Sequence, residues 1–248
     1  MATSTDSEEL ELGFLARPRG GAPAPGIAMI PDVWGLSDHY RDLARRLSAA
    51  GFAVLAIDLY RREPRRLRGE QISDPGRWIR GLSDPAILAE VQAAVDHLAS
   101  GPAAGRKVGV TGFCMGGQYA VLAAAGCTGL SAAVPFYGML SHEHGLLAPP
   151  AGEALDPEHK PRSPLAAAAD VRCPMLALFG CDDPFIPIDD VRALAAELAQ
   201  VGSHHVVSLY AGAGHAFMNE TRPEMYRPAV AREAWERMLA WFGRELAS

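Results

Sequence analysis

The chain is 248 residues long, 49% hydrophobic and 21% charged, with 25 glycines and 19 prolines, which excludes wholesale disorder and collagen-like repetition and leaves ample material for a large core. Its 23 basic and 29 acidic side chains give a net charge of −6, so bulk electrostatics offer nothing to nucleic acid. The four cysteines, Cys114, Cys127, Cys173 and Cys181, show neither a C-x-x-C pair nor ligand spacing with histidine, which argues against both a disulfide framework and a zinc motif.

The chain opens on a polar, acidic stretch without the basic and apolar regions of a secretory signal, and 1–9 is expected to be a flexible arm. No run approaches the roughly 18 apolar residues of a membrane span, so the expected setting is soluble and cytoplasmic. Residues 27–30 form a buried-strand run ended by Pro31. Helical spacing then places Tyr40, Leu43, Ala44, Leu47 and Ala50 on one face of 38–50, with Ser37 or Asp38 as cap and Gly51 as stop. A second strand is expected at 52–57. A long helix follows over 84–99, with Ile87, Leu88, Val91, Val95 and Leu98 on one side. Beyond it come a strand at 107–111, a helix at 115–125, strands at 130–137 and 175–179, a helix at 189–200 and a strand at 206–210. The last helix, 228–246, is expected to bury Ala231, Trp235, Met238, Leu239, Phe242 and Leu246.

Strands that are apolar throughout, alternating with helices, predict an α/β fold with a mostly parallel central sheet and helices on both faces. Two stretches break the rhythm: 61–83, which opens on the basic run 61–68, and 141–169, rich in proline, histidine and small residues. The alternation resumes after each, so both are expected to be loops over the functional edge of one domain spanning 1–248.

The sharpest chemical signal is Gly112-Phe113-Cys114-Met115-Gly116-Gly117, directly after a strand and opening a helix. That is the context of a nucleophile elbow, G-x-S-x-G, with cysteine in place of serine. The flanking glycines let backbones approach across a strained turn, and the helix N-terminus favours a thiolate at Cys114. The Met115 N–H would then face a developing oxyanion. An acid and a base follow in the order such a triad requires. Asp183, with Asp182 as the alternative, lies after the strand at 175–179, and His215 lies on the glycine-rich loop after 206–210.

Three stretches, Gly112 to Gly117, Asp183 with Pro187, and Gly214-His215-Ala216-Phe217, together with Pro31 to Leu36 and Ala56 to Tyr60, resemble the dienelactone hydrolase family over about 10–246. The resemblance implies an α/β-hydrolase fold, a Cys114–Asp183–His215 triad and hydrolysis of an ester or enol-lactone, as by a carboxymethylenebutenolidase. It also implies that Asp32 contacts the nucleophile's thiol and that the Val33 N–H joins Met115 in the oxyanion hole. Family members that open dienelactone carry glutamate where Asp32 stands, one methylene longer. They also bind the substrate carboxylate with arginines, one of them four residues after the catalytic histidine, where this chain has the uncharged Asn219. The other belongs to the arginine-rich region, where Arg77 and Arg80 are candidates.

Trp34, Tyr60, Tyr137 and Phe217 follow strand ends and, with Asn219, are expected to line the substrate pocket; Phe136 is a further aromatic there. His142-Glu143-His144 lacks the spacing and third ligand of a metal site. The expected protein is therefore a cysteine hydrolase of a small-molecule ester or lactone, working through a thioester as monomer or homodimer, with no cofactor, metal, nucleic acid or membrane partner. Two rivals remain at this stage. One is a carboxylesterase, thioesterase or acyl transferase using the same triad on neutral esters; the other is a relative that only binds ligand.

Overall fold

The computed structural model describes residues 4–61, 72–202 and 204–247. Its first two strands, β1 (Thr5–Leu10) and β2 (Gly13–Pro18), form an antiparallel hairpin, and β2 pairs antiparallel with β4 (Ala53–Ile57). Residues 5–9 are thus a strand rather than the expected arm. The physical reason is pairing: β1 is exposed along most of its length, but it is hydrogen-bonded to β2 throughout. Its acids also meet cations, Asp6 with Arg19 at 3.2 Å and Glu9 with Arg41 at 2.8 Å. An edge strand lined with charges also resists pairing with another chain.

Parallel pairing begins at β3 (Gly26–Ile30), which lies between β4 and β5 (Val108–Phe113). It continues through β6 (Leu130–Phe136), β7 (Met175–Gly180) and β8 (His205–Tyr210), giving one eight-stranded sheet of order β1-β2-β4-β3-β5-β6-β7-β8. The central strands are fully buried, as uniformly apolar sequences require when both faces are covered.

The covering helices are α1 (Asp38–Ala49), α2 (Pro75–Gly81), α3 (Asp84–Ser100), α4 (Met115–Gly126), α5 (Pro164–Ala167), α6 (Ile188–Val201) and α7 (Pro228–Glu245). Helix α4 is apolar around its whole circumference and buried from Met115 to Ala125, packed between sheet and neighbouring helices. Helix α7 buries Ala231, Ala234, Met238, Trp241 and Phe242, with Leu246 just beyond it. Trp235 and Leu239 are only partly buried, because the core-facing stripe runs through Ala234 and Trp241 instead, and the Arg46 guanidinium covers Trp235 at 4.7 Å. None of these helices is long and apolar enough to cross a membrane.

Helix α2 lies inside the stretch 61–83. Asp74 caps it by accepting from the Arg77 N–H at 2.9 Å, and Pro75 starts it. Most of the basic run, Arg62 to Arg68, lies outside the described residues. In-register pairing matters most for the site: Ile30 faces Gly112, Phe113 faces Phe136, and Gly180 faces Tyr210. The segments that follow these strands therefore leave the sheet side by side at one carboxyl edge.

Candidate active site

Cys114 joins β5 to α4 with φ 57° and ψ −117°, a conformation that L side chains rarely adopt. The turn is possible because its neighbours lack side chains. A Cβ on Gly112 would stand 2.0 Å from the Gly116 carbonyl oxygen, and one on Gly116 would stand 2.0 Å from that of Ile30. Among the described residues, the non-glycine positions with positive φ are Cys114, Tyr137 and Ala216. All three sit at this edge of the sheet: Tyr137 directly follows β6, and Ala216 directly follows His215. Backbone strain of about 1–3 kcal/mol per residue is thus concentrated where side chains must be aimed, a common property of working sites.

His215 is held from both sides. Its Nδ1 donates to Asp183 Oδ2 at 2.8 Å on one side, and Cys114 acts on the ring electrostatically from the other. Asp183 is fixed in turn, its Oδ1 accepting from the Phe185 N–H at 2.9 Å, so both carboxylate oxygens are used. Burial alone would lower the imidazole's pKa. The Cys114 thiol and the Asp183 carboxylate outweigh that effect and carry it up to about 10. The expected alternative acid, Asp182, is exposed, and its backbone N–H donates to the Ala213 carbonyl, so the bond to histidine belongs to Asp183. The rings of Tyr137 and Phe185 stand edge-on to His215 at 5.2 and 5.1 Å, fixing its plane.

Met115 is the first residue of α4, so its N–H has no carbonyl partner within the helix. Val33 lies on the turn after β3, and the Tyr60 hydroxyl reaches both its carbonyl and, at 3.8 Å, the Met115 sulfur. That turn is tightly fixed: Asp32 Oδ1 accepts from the Trp34 N–H at 2.9 Å, and the Val33 carbonyl accepts from the Tyr60 hydroxyl at 2.8 Å. Trp78 Nε1 of α2 donates to the same hydroxyl at 2.9 Å. Tyr60 therefore braces the loop at Val33 rather than presenting a bare apolar wall. Asp32 is buried, which pushes its carboxyl up; the bond from the Trp34 N–H and the influence of Tyr40, Arg222 and His215 oppose that push. The resemblance implied a contact with the thiol; the hydrogen bond that the Asp32 carboxylate makes here is to the Trp34 N–H.

The other expected pocket residues divide. Trp34 is half-buried beneath the Arg222 guanidinium, whose Cζ lies 5.1 Å from the ring centroid. Phe217 has no exposed surface and packs among Phe136, Tyr137 and Tyr210, so it backs the histidine loop from the core. Tyr137 is likewise enclosed. Asn219 is buried, with its Oδ1 accepting from the Thr221 N–H and hydroxyl, and so shapes the turn that leads to Arg222. Arg77 is exposed, and Arg80 donates to the Leu146 and Ala148 carbonyls, which fastens α2 to the loop 141–169. His142 and His144 each approach a different aspartate, Asp84 and Asp190, and no metal-ligating cluster exists among the described residues. Sequence reasoning missed Phe185 and Arg222. Arg222 could have been found as the first cation after the histidine loop.

Known proteins resemble this chain over most of its length. The family model described as the dienelactone hydrolase family matches residues 12–246. The chain belongs to that family. A protein of Escherichia coli (strain K12) with the provisional name carboxymethylenebutenolidase is 32% identical over 92% of this chain and 80% of its own length. A Bradyrhizobium protein, provisionally named a 2-oxo-3-(5-oxofuran-2-ylidene)propanoate lactonase, is also 32% identical, over 94% of this chain and 89% of its own. A crystal structure from Klebsiella pneumoniae, provisionally assigned as a dienelactone hydrolase, superposes with a TM-score of 0.84 at 28% identity, covering 98% of this chain and all of its own. The fold is therefore the α/β-hydrolase fold, and the protein is a dienelactone-hydrolase-like hydrolase of ester or lactone bonds.

Proposed function

We propose that Cys114 is the nucleophile of this hydrolase and that the reaction passes through a thioester. The observation that carries the proposal is the 2.8 Å bond of His215 to Asp183 at the same sheet edge as Cys114 on its strained elbow, with Cys114 acting electrostatically on the imidazole. His215, held in one tautomer by Asp183, takes the thiol proton as sulfur attacks the carbonyl carbon. The resulting oxyanion faces the N–H groups of Met115 and Val33, each a donor of a kind commonly worth about 3 kcal/mol to the transition state. Collapse expels the alcohol or enol, which leaves with the proton from His215. The acyl group stays on Cys114 until water, deprotonated by His215, releases the acid and the free thiol. Thiolate suits good leaving groups, which favours enol-esters and lactones over amides. The other buried thiols stand apart: burial pushes Cys127 up to about 11 and Cys173 up to about 12, which leaves them protonated and inert.

The two curated relatives bear names of lactones that carry a carboxylate side chain. Position 219, where the family has an arginine, is asparagine here, and Arg222 brings a cation to the same turn, over Trp34 and within electrostatic reach of Asp32. On this reading the substrate is a small anionic lactone or ester, with Arg222 as its carboxylate anchor. Kinetics of wild type and Arg222→Met on cis-dienelactone and on a neutral aryl acetate test this. KM for the anionic lactone should rise roughly tenfold, as expected for loss of one charge-assisted hydrogen bond, with little change for the neutral ester. Equal effects on both substrates would remove Arg222 from substrate recognition.

A further inference from the structure

We propose that Tyr60 and Trp78 are positioning residues for the oxyanion hole: Trp78 orients the Tyr60 hydroxyl, and that hydroxyl fixes where the Val33 peptide stands relative to Met115. This rests on the assignment of the Met115 and Val33 N–H groups as donors to the oxyanion formed when Cys114 attacks.

One oxygen ties the two residues of the hole together. The Tyr60 hydroxyl donates to the Val33 carbonyl at 2.8 Å, its oxygen accepts from Trp78 Nε1 at 2.9 Å, and it lies 3.8 Å from the Met115 sulfur. An indole N–H only donates and a phenol has one proton to give, so the chain runs in one direction, from indole to phenol to carbonyl. It takes up the carbonyl of Val33 and not the N–H that the reaction uses.

Both ends of the chain are seated. The Tyr60 N–H donates to Asp58 Oδ1 at 3.1 Å, and its ring lies so close on Gly35 that a Cβ there would stand 2.9 Å from Cδ2. The turn that carries Val33 is closed by the Gly35 N–H, which donates to the Asp32 carbonyl at 3.0 Å. Trp78 stands edge-on to Tyr60, with ring centroids 5.8 Å apart. Its helix, α2, is fastened in turn: Arg80 donates to the Leu146 carbonyl at 3.1 Å, and a Cβ on Gly76 would stand 2.7 Å from that same oxygen.

Phenylalanine at either position would keep a ring in place, so packing does not require these donors. The carbonyl does. Val33 is buried, and without the phenol its carbonyl loses a partner where water does not readily replace it, so the turn relaxes to find another. Met115 is held by the elbow, whereas Val33 stands on a turn beyond the end of its strand. A donor stabilises the oxyanion fully only within a few tenths of an ångström of its best distance, so the mobile partner is the one that needs fixing.

Steady-state kinetics on an activated aryl ester test the proposal in wild type, Tyr60→Phe, Trp78→Phe and the double variant. Outright loss of an oxyanion donor costs about 10²–10³ in kcat, so its displacement in Tyr60→Phe should lower kcat and kcat/KM together by roughly tenfold, with KM nearly kept. Trp78→Phe leaves the Val33 bond in place and should cost roughly threefold, a readout that stands even where Tyr60→Phe lowers stability. Added to Tyr60→Phe, it should cost nothing more, because no hydroxyl is left to orient. A trifluoromethyl ketone, which forms an oxyanion adduct on the thiol, should bind Tyr60→Phe more weakly by the same factor as the loss in kcat. Alkylation of Cys114 by iodoacetamide forms no oxyanion at a carbonyl carbon, so its rate should match wild type in every variant. An unchanged kcat in Tyr60→Phe, additive losses in the double variant, or alkylation that slows in step with kcat overturns the proposal. Cys114→Ala run in parallel separates the two levels. Hydrolysis that survives it sinks the nucleophile assignment, whereas Cys114-dependent hydrolysis with kcat intact in Tyr60→Phe sinks only the role of the Tyr60–Trp78 pair.

Discussion

Cys114→Ala is expected to lower kcat/KM for an activated aryl ester by about 10⁴-fold or more, with circular dichroism and melting temperature close to wild type. The size follows from what is lost. Without sulfur, His215 and Asp183 have no proton to move, and only substrate binding and the N–H donors of Met115 and Val33 remain. The fold should tolerate the change because the cost of the elbow lies in its backbone. Any L residue at φ 57° bears that strain, and alanine adds no atom to the tight approach of Gly112, Gly116 and Ile30. A collapse in stability together with activity would mean that Cys114 is a packing residue whose environment has been misjudged.

The second large effect is on stability. Lys160 and Asp84 form an ion pair with side chains 1% and 3% exposed, Nζ to Oδ1 at 2.5 Å, and Tyr119 of α4 donates to the same oxygen at 2.8 Å. The pair joins three parts of the molecule: the start of α3, the helix behind the elbow, and the loop 141–169. The Asp84 N–H adds a bond to the His159 carbonyl. Burial lowers the pKa of Lys160, and Asp84 opposes that shift. Asp84 Oδ2 has no hydrogen-bond partner; the nearest imidazole nitrogen, on His142, is 3.8 Å away and also unpartnered. A carboxylate held on one side only is poorly prepared to lose its cation. Lys160→Met should therefore destabilise by about 3–5 kcal/mol, which for a chain of this size is a fall in Tm of roughly 6–20 °C. Asp84→Leu combined with Lys160→Met should recover much of that loss, because no unpaired buried charge is left. Calorimetry or urea titration decides: a single-variant loss under about 1 kcal/mol would show that the pair is hydrated in solution.

The contrast between what was legible and what was not has a physical basis. The parallel strands and their helices announce themselves because each is buried on a defined face. Thus 84–99, 115–125 and 175–179 match α3, α4 and β7 to within a residue at each end. The hairpin β1–β2 does not announce itself, since an exposed, charged strand has no hydrophobic period and exists only by pairing with β2. Helix α2 was hidden for a different reason: at seven residues it is too short for periodicity to show, although Asp74-Pro75 is a cap signal. At the site, Cys114, Asp183 and His215 could be read because each sits after a strand in a fixed order. Arg222 could not, because its place over Trp34 comes from how the turn before α7 lies against the loop after β3. Phe217 shows the converse: a motif neighbour of the histidine proves to be core, because the edge of an aromatic stack fills the space behind the loop.

Acid quenching during the pre-steady-state burst with an aryl ester, followed by mass spectrometry of the digested protein, tests the central claim most directly. The account predicts the acyl mass on the peptide that contains Cys114, released by neutral hydroxylamine as a thioester should be. An acyl group carried by a different residue, or a burst with Cys114 unmodified, would contradict it.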